Sequence, residues 1–258
     1  DAALAAALAG LFADPASDAA VAAFLDSPPQ TNEVGRSGAL MPGLLCVAAA
    51  TRLPLALNEL GASAGLNLNM DRFACLFGGV SAGDGTSAVI VRPHWQGPPP
   101  PAAAITVVGR QGVDIAPLDA ADDAVAQRLM AFIWADQPER LARTEAAIAL
   151  ARRYPPPLAR GDAADWLEQT LALADGVATI VYHSIAFQYF PPAAQARIIA
   201  HLDAVGATAT PQRPLAWLRL EMDDPVNPAQ PAIRLRLWQG GAGQERLLGH
   251  AHAHGTFV

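Results

Sequence analysis

Lysine is absent from the 258-residue sequence, in which all 17 basic side chains are arginine. This absence excludes a Schiff-base lysine, a P-loop lysine and any other catalytic lysine. Cysteine is nearly absent too. The two present, Cys46 and Cys75, are too few for a disulfide framework or a four-thiolate zinc site. We expect both to be small, buried thiols in a reducing compartment.

Charge of either sign is scarce, since charged residues make up 16% of the chain and the net charge is −7. An acidic protein without basic clusters binds nucleic acids poorly, so we expect a small-molecule ligand and no nucleic-acid partner. Apolar residues make up 52% of the chain and include 57 alanines. At this length they suffice for a sizeable core in one large domain, or in a domain with a small appendage.

Uninterrupted apolar runs of membrane-spanning length are missing. The stretch Leu40–Leu57 contains Pro42, Arg52 and Pro54, so it does not predict a membrane span. We therefore expect no membrane association and a cytoplasmic location. The first residue is Asp1 rather than methionine, and we expect this start to be trimmed.

The order of helical and strand-like patterns predicts the fold class. Residues 1–52 have helical periodicity interrupted at Asp14-Pro15, which predicts an N-terminal helical cap. Residues 53–258 alternate strands with helices, apart from a Gly-, Ser- and Pro-rich insertion around 78–104 with a strand-like core at Ala88–Arg92. This pattern predicts a Rossmann-like three-layer α/β sandwich, whose seven-stranded sheet is mostly parallel with an antiparallel C-terminal strand. The predicted strands are Pro54–Leu60, Ile105–Gly109, Leu158–Arg160, Ala178–His183, Leu215–Met222, Ile233–Trp238 and Arg246–His254.

The segment ELGASAG (Glu59–Gly65) joins the first of these strands to a helix predicted from Leu66. Glycines let the backbone turn tightly and approach a ligand closely, and the start of a helix offers oriented N–H donors. Glu59 disfavours a phosphate here and favours a cationic or hydroxyl-bearing ligand. A tight turn that binds no ligand is the alternative interpretation.

Four motifs in order along the chain resemble those of class I S-adenosylmethionine-dependent methyltransferases. ELGASAGLN resembles the first motif, whereas GVDIAP (Gly112–Pro117) and ARGDA (Ala159–Ala163) are similar to the second and third. ATIVYHS (Ala178–Ser184) is similar to the fourth strand and its end. The match covers about residues 53–258. It implies S-adenosylmethionine as cofactor and methyl transfer to an unidentified small acceptor, which the protein orients for in-line displacement.

The resemblance also implies roles for individual residues. It places Asp114, or its rival Asp119, at the ribose hydroxyls, and Asp162 at the adenine edge. The catalytic candidates are His183 and Tyr189. Ser63 departs from the motif, which usually has glycine there, and Asp114 lies 49 positions after Gly65. The candidates for binding the cofactor are Glu59, Gly61, Ala62, Ser63, Gly65, Asn67, Asp114, Asp162, Ala163, His183 and Ser184.

The chain also resembles a bacterial family known only as a domain of unknown function. The shared marks are QTNEVGR, ELGASAGLN, RGDA, an HS-x₄-Y-x-P-like segment and a histidine-rich C-terminus. In QTNEVGR, either Thr31 or Asn32 caps the following helix, or the segment forms a polar lid over the pocket. Arg36 is suited to clamp a carboxylate. The substrate or lid candidates are Gln30, Thr31, Asn32, Glu33 and Arg36.

Two other functions remain open. GASAG also fits the G-x-S-x-G elbow of serine hydrolases, with Ser63 as nucleophile and a C-terminal histidine as base. The third possibility is a cofactor-binding protein without catalysis. His250, His252 and His254 would share one face of the last strand. A solvated edge is the commoner form of such a row, so we expect no metal site.

Overall fold

The computed structural model describes residues 2–25 and 32–258, which belong to two compact units, Asp1–Thr31 and Asn32–Val258. This division lies earlier than the expected boundary after residue 52. The described residues of the first unit form two helices, α1 (Ala2–Ala13) and α2 (Pro15–Leu25). Asp14 between them accepts hydrogen bonds from the backbone N–H and hydroxyl of Ser17. The predicted break at Asp14-Pro15 is therefore confirmed.

The second unit is built on a seven-stranded sheet in the order β10-β9-β8-β7-β1-β5-β6. When these seven strands are renumbered 1 to 7 in chain order and the sheet is read from β6 to β10, their order is 3-2-1-4-5-6-7. The first six positions match the doubly wound Rossmann order, whose switch point lies between β1 and β7. The strands are β1 (Leu55–Leu60), β5 (Val107–Asp114), β6 (Leu158–Arg160), β7 (Ala178–Ser184), β8 (Leu215–Glu221), β9 (Ala232–Trp238) and β10 (Gln244–His250).

The sheet confirms the predicted architecture. Strands β6, β5, β1, β7 and β8 pair in parallel, whereas β9 is antiparallel to both β8 and β10. Antiparallel pairing is thus confined to the C-terminal end. Two predicted strands differ from the structure by more than one residue at each end. Strand β5 begins two residues later than expected and continues to Asp114, and β10 runs from Gln244 to His250 instead of from Arg246 to His254.

Helices cover both faces of the sheet. Helix α3 (Ser37–Thr51) packs on β7, β8 and β9, and α6 (Ala163–Thr170) and α7 (Pro192–Gly206) cover the opposite face. In α3, Gly43 allows the close approach of Leu218. Among the described residues, Val34–Thr51 is long and apolar enough to cross a membrane, but most of it is buried in the protein. It therefore has the character of a core helix.

The connection from β1 to β5 contains no α-helix, so the helix predicted after the turn is wrong in type. A 3-10 helix (Leu66–Arg72) follows the turn instead. Then comes a small sheet of order β3-β2-β4, formed by β2 (Ala74–Phe77), β3 (Val80–Gly83) and β4 (Ile90–Val91). This small sheet corresponds to the predicted insertion but begins before residue 78.

The connection from β5 to β6 carries α4 (Asp123–Ala131) and α5 (Pro138–Arg153), as the sequence predicts. Both cysteines are free thiols. Cys75 is buried, and burial raises its pKa to about 12, while Cys46 is half-buried.

Candidate functional site

The predicted turn after β1 is held against the end of β5. The backbone N–H groups of Gly61 and Ala62 both donate to the carbonyl of Val113. The N–H of Ser63 donates to the carboxylate of Asp114 at 2.8 Å. Gly61, Ser63 and Gly65 have φ angles of 70°, 52° and 64°. The turn therefore requires left-handed backbone, which glycine adopts readily and serine does not.

The two outer glycines make room for the protein's own side chains. A β-carbon on Gly61 would lie 2.8 Å from the β-carbon of Ala186, and one on Gly65 would lie 2.9 Å from the ring of Pro156. We expected these glycines to let the backbone approach a ligand. The close approach that the structure contains is instead between segments of the chain.

Asn32 binds directly to the turn. Its side-chain nitrogen donates to the hydroxyl of Ser63, and its side-chain oxygen accepts the N–H of Ala64 at 2.9 Å. The segment that we expected to be a lid therefore meets the turn at Asn32. The residue that caps the 3-10 helix Val34–Arg36 is Glu33, whose side chain accepts the N–H of Gly35. We expected the cap at Thr31 or Asn32, and the structure has it at Glu33 instead.

Glu59 is the buried acid of this edge, with 4% of its surface exposed. Its carboxyl group accepts a hydrogen bond from the hydroxyl of Tyr182, its neighbour on β7, at 3.2 Å. Burial raises the pKa of Glu59 to about 8, and the hydrogen bond from Tyr182 and the charge of Arg36 oppose this rise. At neutral pH this acid holds its proton and is poised to release it.

Arg36 connects three distant parts of the chain. Its Nη1 donates to the carbonyl of Ser184 at 2.9 Å, and its Nε donates to the carbonyl of Ala253 at 3.0 Å. Burial lowers the pKa of Arg36, and Glu33 and Glu221 oppose that effect. The guanidinium that we expected to clamp a ligand carboxylate therefore binds backbone carbonyls of the protein.

His183 is fully buried, at 0% exposure, and both of its ring nitrogens have partners. Nδ1 lies 2.7 Å from the carboxylate of Glu221, and Nε2 faces the indole N–H of Trp217 at 3.1 Å. An indole N–H can only donate, so Nε2 accepts and the proton sits on Nδ1. This arrangement leaves His183 no lone pair for the general-base role that we predicted. The second catalytic candidate, Tyr189, is 76% exposed on a short 3-10 helix.

A second strained residue follows β7. Ile185 has a φ of 47°, which is a genuine outlier for a β-branched side chain. It stands immediately after Ser184, across the switch point from the strained Ser63. The N–H groups of Ala186 and Phe187 then donate to Glu221. Strained backbone concentrates at functional sites, so the paired outliers mark this edge of the sheet as the candidate site.

The acids predicted from the second and third motifs lie at the next two strand ends. Asp114 accepts N–H groups from Ser63 and Ala116, which anchors it to the turn. Asp162 caps α6 by accepting the N–H of Ala164 at 2.8 Å, and Ala163 is the first, buried residue of that helix. The rival Asp119 is exposed and lines a cavity of about 330 Å³ that also touches Ala64 of the turn.

The other predicted residues are Asn67, Gln30, Thr31 and the three C-terminal histidines. Asn67 is buried and donates to the carbonyl of Glu33 at 3.2 Å, while its side-chain oxygen has no hydrogen-bond partner in the described part of the chain. Gln30 and Thr31 lie outside the described residues. The three C-terminal histidines do not share a strand face, because β10 ends at the first of them. Among the residues that the structure describes, no cluster of His, Cys, Asp and Glu could hold a metal ion.

A family model described as "Uncharacterized protein conserved in bacteria (DUF2332)" matches residues 1–258. The chain belongs to the DUF2332 family. No curated protein and no solved structure matches the chain. The family's description assigns no reaction, so the function of this DUF2332 member has to be argued from its site.

Several important residues of this DUF2332 chain were missed in the sequence. Tyr182, Glu221 and Trp217 carry the hydrogen bonds to Glu59 and His183, and Arg140 and Arg143 of α5 pair with Glu33. One signal was present: LAWLRLE is an apolar strand that ends in a buried acid, and a buried acid requires a partner.

Proposed function

We propose that the protein binds S-adenosylmethionine at the switch point of the sheet and transfers its methyl group to a small acceptor. One observation carries the proposal. Glu59, Asp114, Asp162 and Ser184 all stand at, or within two residues of, the carboxyl ends of four neighbouring parallel strands. Open α/β sheets bind their ligands beyond these ends, at the switch point.

The chemistry of the buried acid fits a cationic ligand. Glu59 is buried and keeps its proton at neutral pH, because burial raises its pKa to about 8. A positive charge on a ligand beside it would favour the ionised form. The sulfonium of S-adenosylmethionine carries such a charge, and the demethylated product does not. Binding of the cofactor at pH 7 should therefore release a proton, and binding of the product should release less.

Space for a ligand lies beside the turn. The cavity of about 330 Å³ is lined by Ala64, Asp119 and Leu158, and its size is within the range of small-molecule sites. It reaches the turn at Ala64 and is not lined by Glu59 or Ser184. The side chain of Asn32 hydrogen-bonds to the hydroxyl of Ser63 and to the backbone N–H of Ala64. A ligand that uses these groups must displace the side chain of Asn32, so we assign the role of a lid to Asn32.

Orientation is the protein's main contribution to methyl transfer. The cofactor supplies the methyl group, and residues around Glu59 and Ser184 hold the two reactants in line. A base is needed only if the acceptor must lose a proton before transfer. His183 is not assigned that task, because Glu221 and Trp217 occupy both of its nitrogens.

Calorimetric titration with S-adenosylmethionine and with its demethylated product tests the proposal. We expect both to bind, and the heat of S-adenosylmethionine binding to depend on the ionisation enthalpy of the buffer. Glu59→Gln should remove that dependence. Glu168→Gln, which changes an exposed acid paired with Arg197, should leave it unchanged. Absence of binding by both compounds at millimolar concentration would refute the proposal, and binding without turnover of any acceptor would favour the non-catalytic alternative.

A serine hydrolase remains the second candidate because Ser63 sits on a strained strand-to-helix turn, as a nucleophile elbow requires. The difficulty for this function is the base that would have to activate Ser63. The hydroxyl of Ser63 binds Asn32, and no histidine ring among the described residues hydrogen-bonds to it. A serine-directed fluorophosphonate probe separates the two functions. We expect no labelling at Ser63, and labelling there would replace our proposal with the hydrolase.

A further inference from the structure

A second cavity, of about 320 Å³, lies where the insertion meets helix α5. Residues of the loop between β3 and β4 line it, together with the last two turns of α5 and the capping residue Tyr154. Arg72, the last residue of the 3-10 helix after the turn, completes the lining. This cavity shares no lining residue with the cavity beside the turn after β1.

Two guanidinium groups of this lining contact the same aromatic ring. The Cζ atom of Arg72 lies 4.0 Å from the centre of the Tyr154 ring, and that of Arg153 lies 5.2 Å from it. The face of an aromatic ring attracts a cation, so these contacts help to place both arginines. A guanidinium over a ring keeps its N–H donors in its own plane, so the ring does not satisfy those donors.

The two arginines have no acidic partner. In the part of the chain that the structure describes, neither guanidinium forms an ion pair or a hydrogen bond. The preceding residue on α5 differs, since Arg152 pairs with Asp123 at 2.6 Å. Two cations therefore lie at one ring without a counter-charge, which a bound anion would supply.

Arg72 is exceptional among the buried arginines. Of the four described arginines whose Nε is buried without a hydrogen-bond acceptor, Arg72 is the one that forms no ion pair. A buried charged donor without an acceptor destabilises the protein. The donors of Arg72 therefore favour an acceptor from outside the chain, and the cavity has room for one.

The loop wall of the cavity is held by its own hydrogen bonds. The carboxylate of Asp84 accepts the hydroxyl and the N–H of Thr86 at 2.7 and 2.9 Å, and the hydroxyl of Ser87 accepts the N–H of Val89 at 3.2 Å. The bonds from Thr86 lower the pKa of Asp84, so this acid is ionised at neutral pH. With two arginines and one aspartate, the lining has a net charge of +1.

The rest of the lining is largely apolar. Ala88 and Val89 come from the loop, and Ala146, Ala149 and Leu150 come from α5. Small-molecule sites combine such apolar walls with a few polar groups that fix the orientation of the ligand. A ligand that fits here therefore has an anionic end and a short apolar body.

We propose that this cavity is a second ligand site, which binds a small organic acid by pairing its carboxylate with Arg72 and Arg153. Arginine binds a carboxylate through two parallel N–H donors. The net positive charge of the lining matches one carboxylate, and the apolar side chains of α5 receive the rest of the molecule. The site is independent of S-adenosylmethionine binding.

Butyrate is the probe, and butyramide, which has a similar shape without the charge, is its neutral control. Both are titrated at an ionic strength held constant with sodium chloride, so that screening does not change. Nuclear magnetic resonance of the isotope-labelled protein follows the Nε–H signals of the arginines. We expect saturable shifts of the signals of Arg72 and Arg153 with butyrate, and binding of butyramide that is weaker by about tenfold or more.

Arg153→Gln should weaken butyrate binding by about tenfold or more, because a charge-assisted pair of hydrogen bonds is lost. Arg153 is exposed, so this variant should fold as the parent does. Arg152→Gln is the matched control, because Arg152 is the neighbouring arginine, pairs with Asp123 and does not line the cavity. We expect its affinity for butyrate to equal that of the parent.

Asp84→Asn tests the sign of the charge on the ligand. Asparagine keeps an acceptor for Thr86 but removes the one negative charge of the lining, so affinity for butyrate should rise. A fall in affinity would overturn the inference, because it would mean that Asp84 attracts the ligand.

Four further results would overturn it: no saturable response in the parent, equal affinities for butyrate and butyramide, tighter binding of inorganic phosphate than of butyrate, or equal losses in the two arginine variants. Butyrate binding together with a failure to bind S-adenosylmethionine would refute only the function proposed above. The reverse result would refute only this site.

Discussion

The carboxamide of Asn32 pairs with the turn at Ser63 through both of its ends, donating to the serine hydroxyl and accepting the next backbone N–H. A donor and an acceptor side by side are also what a nucleoside or an amide ligand would bind. The polar groups of the turn are therefore already hydrogen-bonded within the protein, to a side chain that lies 31 positions before Ser63 in the sequence.

Asn32→Ala removes this internal competitor. We expect the free energy of unfolding to fall by about 1–2 kcal/mol, because two hydrogen bonds are lost. Affinity for S-adenosylmethionine should rise, because the ligand no longer displaces a side chain. Urea unfolding and calorimetry measure the two effects, with Asn227→Ala, which removes a local bond to Gln230, as the control. A fall in affinity would mean that Asn32 contacts the ligand instead of competing with it.

Glu59 should make stability depend on pH. Its pKa is about 8 in the folded protein and 4.5 as an ordinary carboxyl group, so the folded state keeps a proton that the unfolded chain releases. Its contribution to stability therefore falls as pH rises from about 4.5 to about 8, at roughly 1.4 kcal/mol per pH unit, and is level above that window.

Glu59→Gln keeps an acceptor for Tyr182 and should abolish this slope. The difference in unfolding free energy between variant and parent, measured by urea denaturation from pH 5 to pH 9, should grow with pH. Glu168→Gln at an exposed ion pair should show no such trend. A constant difference across the range would contradict a buried, protonated Glu59.

The glycines of the turn should be needed for folding itself. Gly61→Ala and Gly65→Ala place a side chain on left-handed backbone and against Ala186 or Pro156, so each should destabilise the protein by about 1–3 kcal/mol. Gly161→Ala, at the end of β6, meets no atom within 4 Å and should change stability by less than about 0.5 kcal/mol. Thermal unfolding of the three variants compares them. If Gly61→Ala is as stable as the parent, the segment that carries Ala186 moves away from the turn at little cost in free energy.

Asp162 should act on stability through its cap. Asp162→Ala should cost about 0.5–2 kcal/mol, and Asp162→Ser should recover most of that loss, because serine caps a helix equally well. We expect Asp162→Ser to bind S-adenosylmethionine with parental affinity, leaving the adjoining backbone to contact the adenine. Asp122→Ala, at the matching cap of α4, controls for helix loss alone. Recovered stability with lost affinity would place the carboxylate itself on the ligand.

Local patterns were sufficient to predict the sheet. The buried β7, ATIVYHS, has no exposed position, and its apolar run between turn signals identified it as a strand. The last two strands, β9 and β10, were also predicted, and the glycine-rich segment GGAG between them marks the turn that joins the antiparallel pair. The small sheet of β2, β3 and β4 was less visible, because its strands are two to four residues long and rich in glycine and serine.

The site was predicted only in part, because its contacts join residues far apart in the sequence. The position of Glu59 before the turn followed from the motif, but its raised pKa depends on its burial in the folded protein. His183 was taken for a base because its partners were unknown: Glu221 lies 38 positions later and Trp217 lies 34 positions later. Only the register between β7 and β8 brings them together.

The two bonds of Arg36 have a consequence for how the protein is made. Its partners Ser184 and Ala253 lie 148 and 217 positions further along the chain. During synthesis on the ribosome, the segment that carries Arg36 emerges long before Ala253, so 217 further residues must be made before both bonds can form. Contacts of such long range form late and slowly. Chains truncated after His250 should therefore contain all seven strands of the sheet but lack the bond from Arg36 to Ala253.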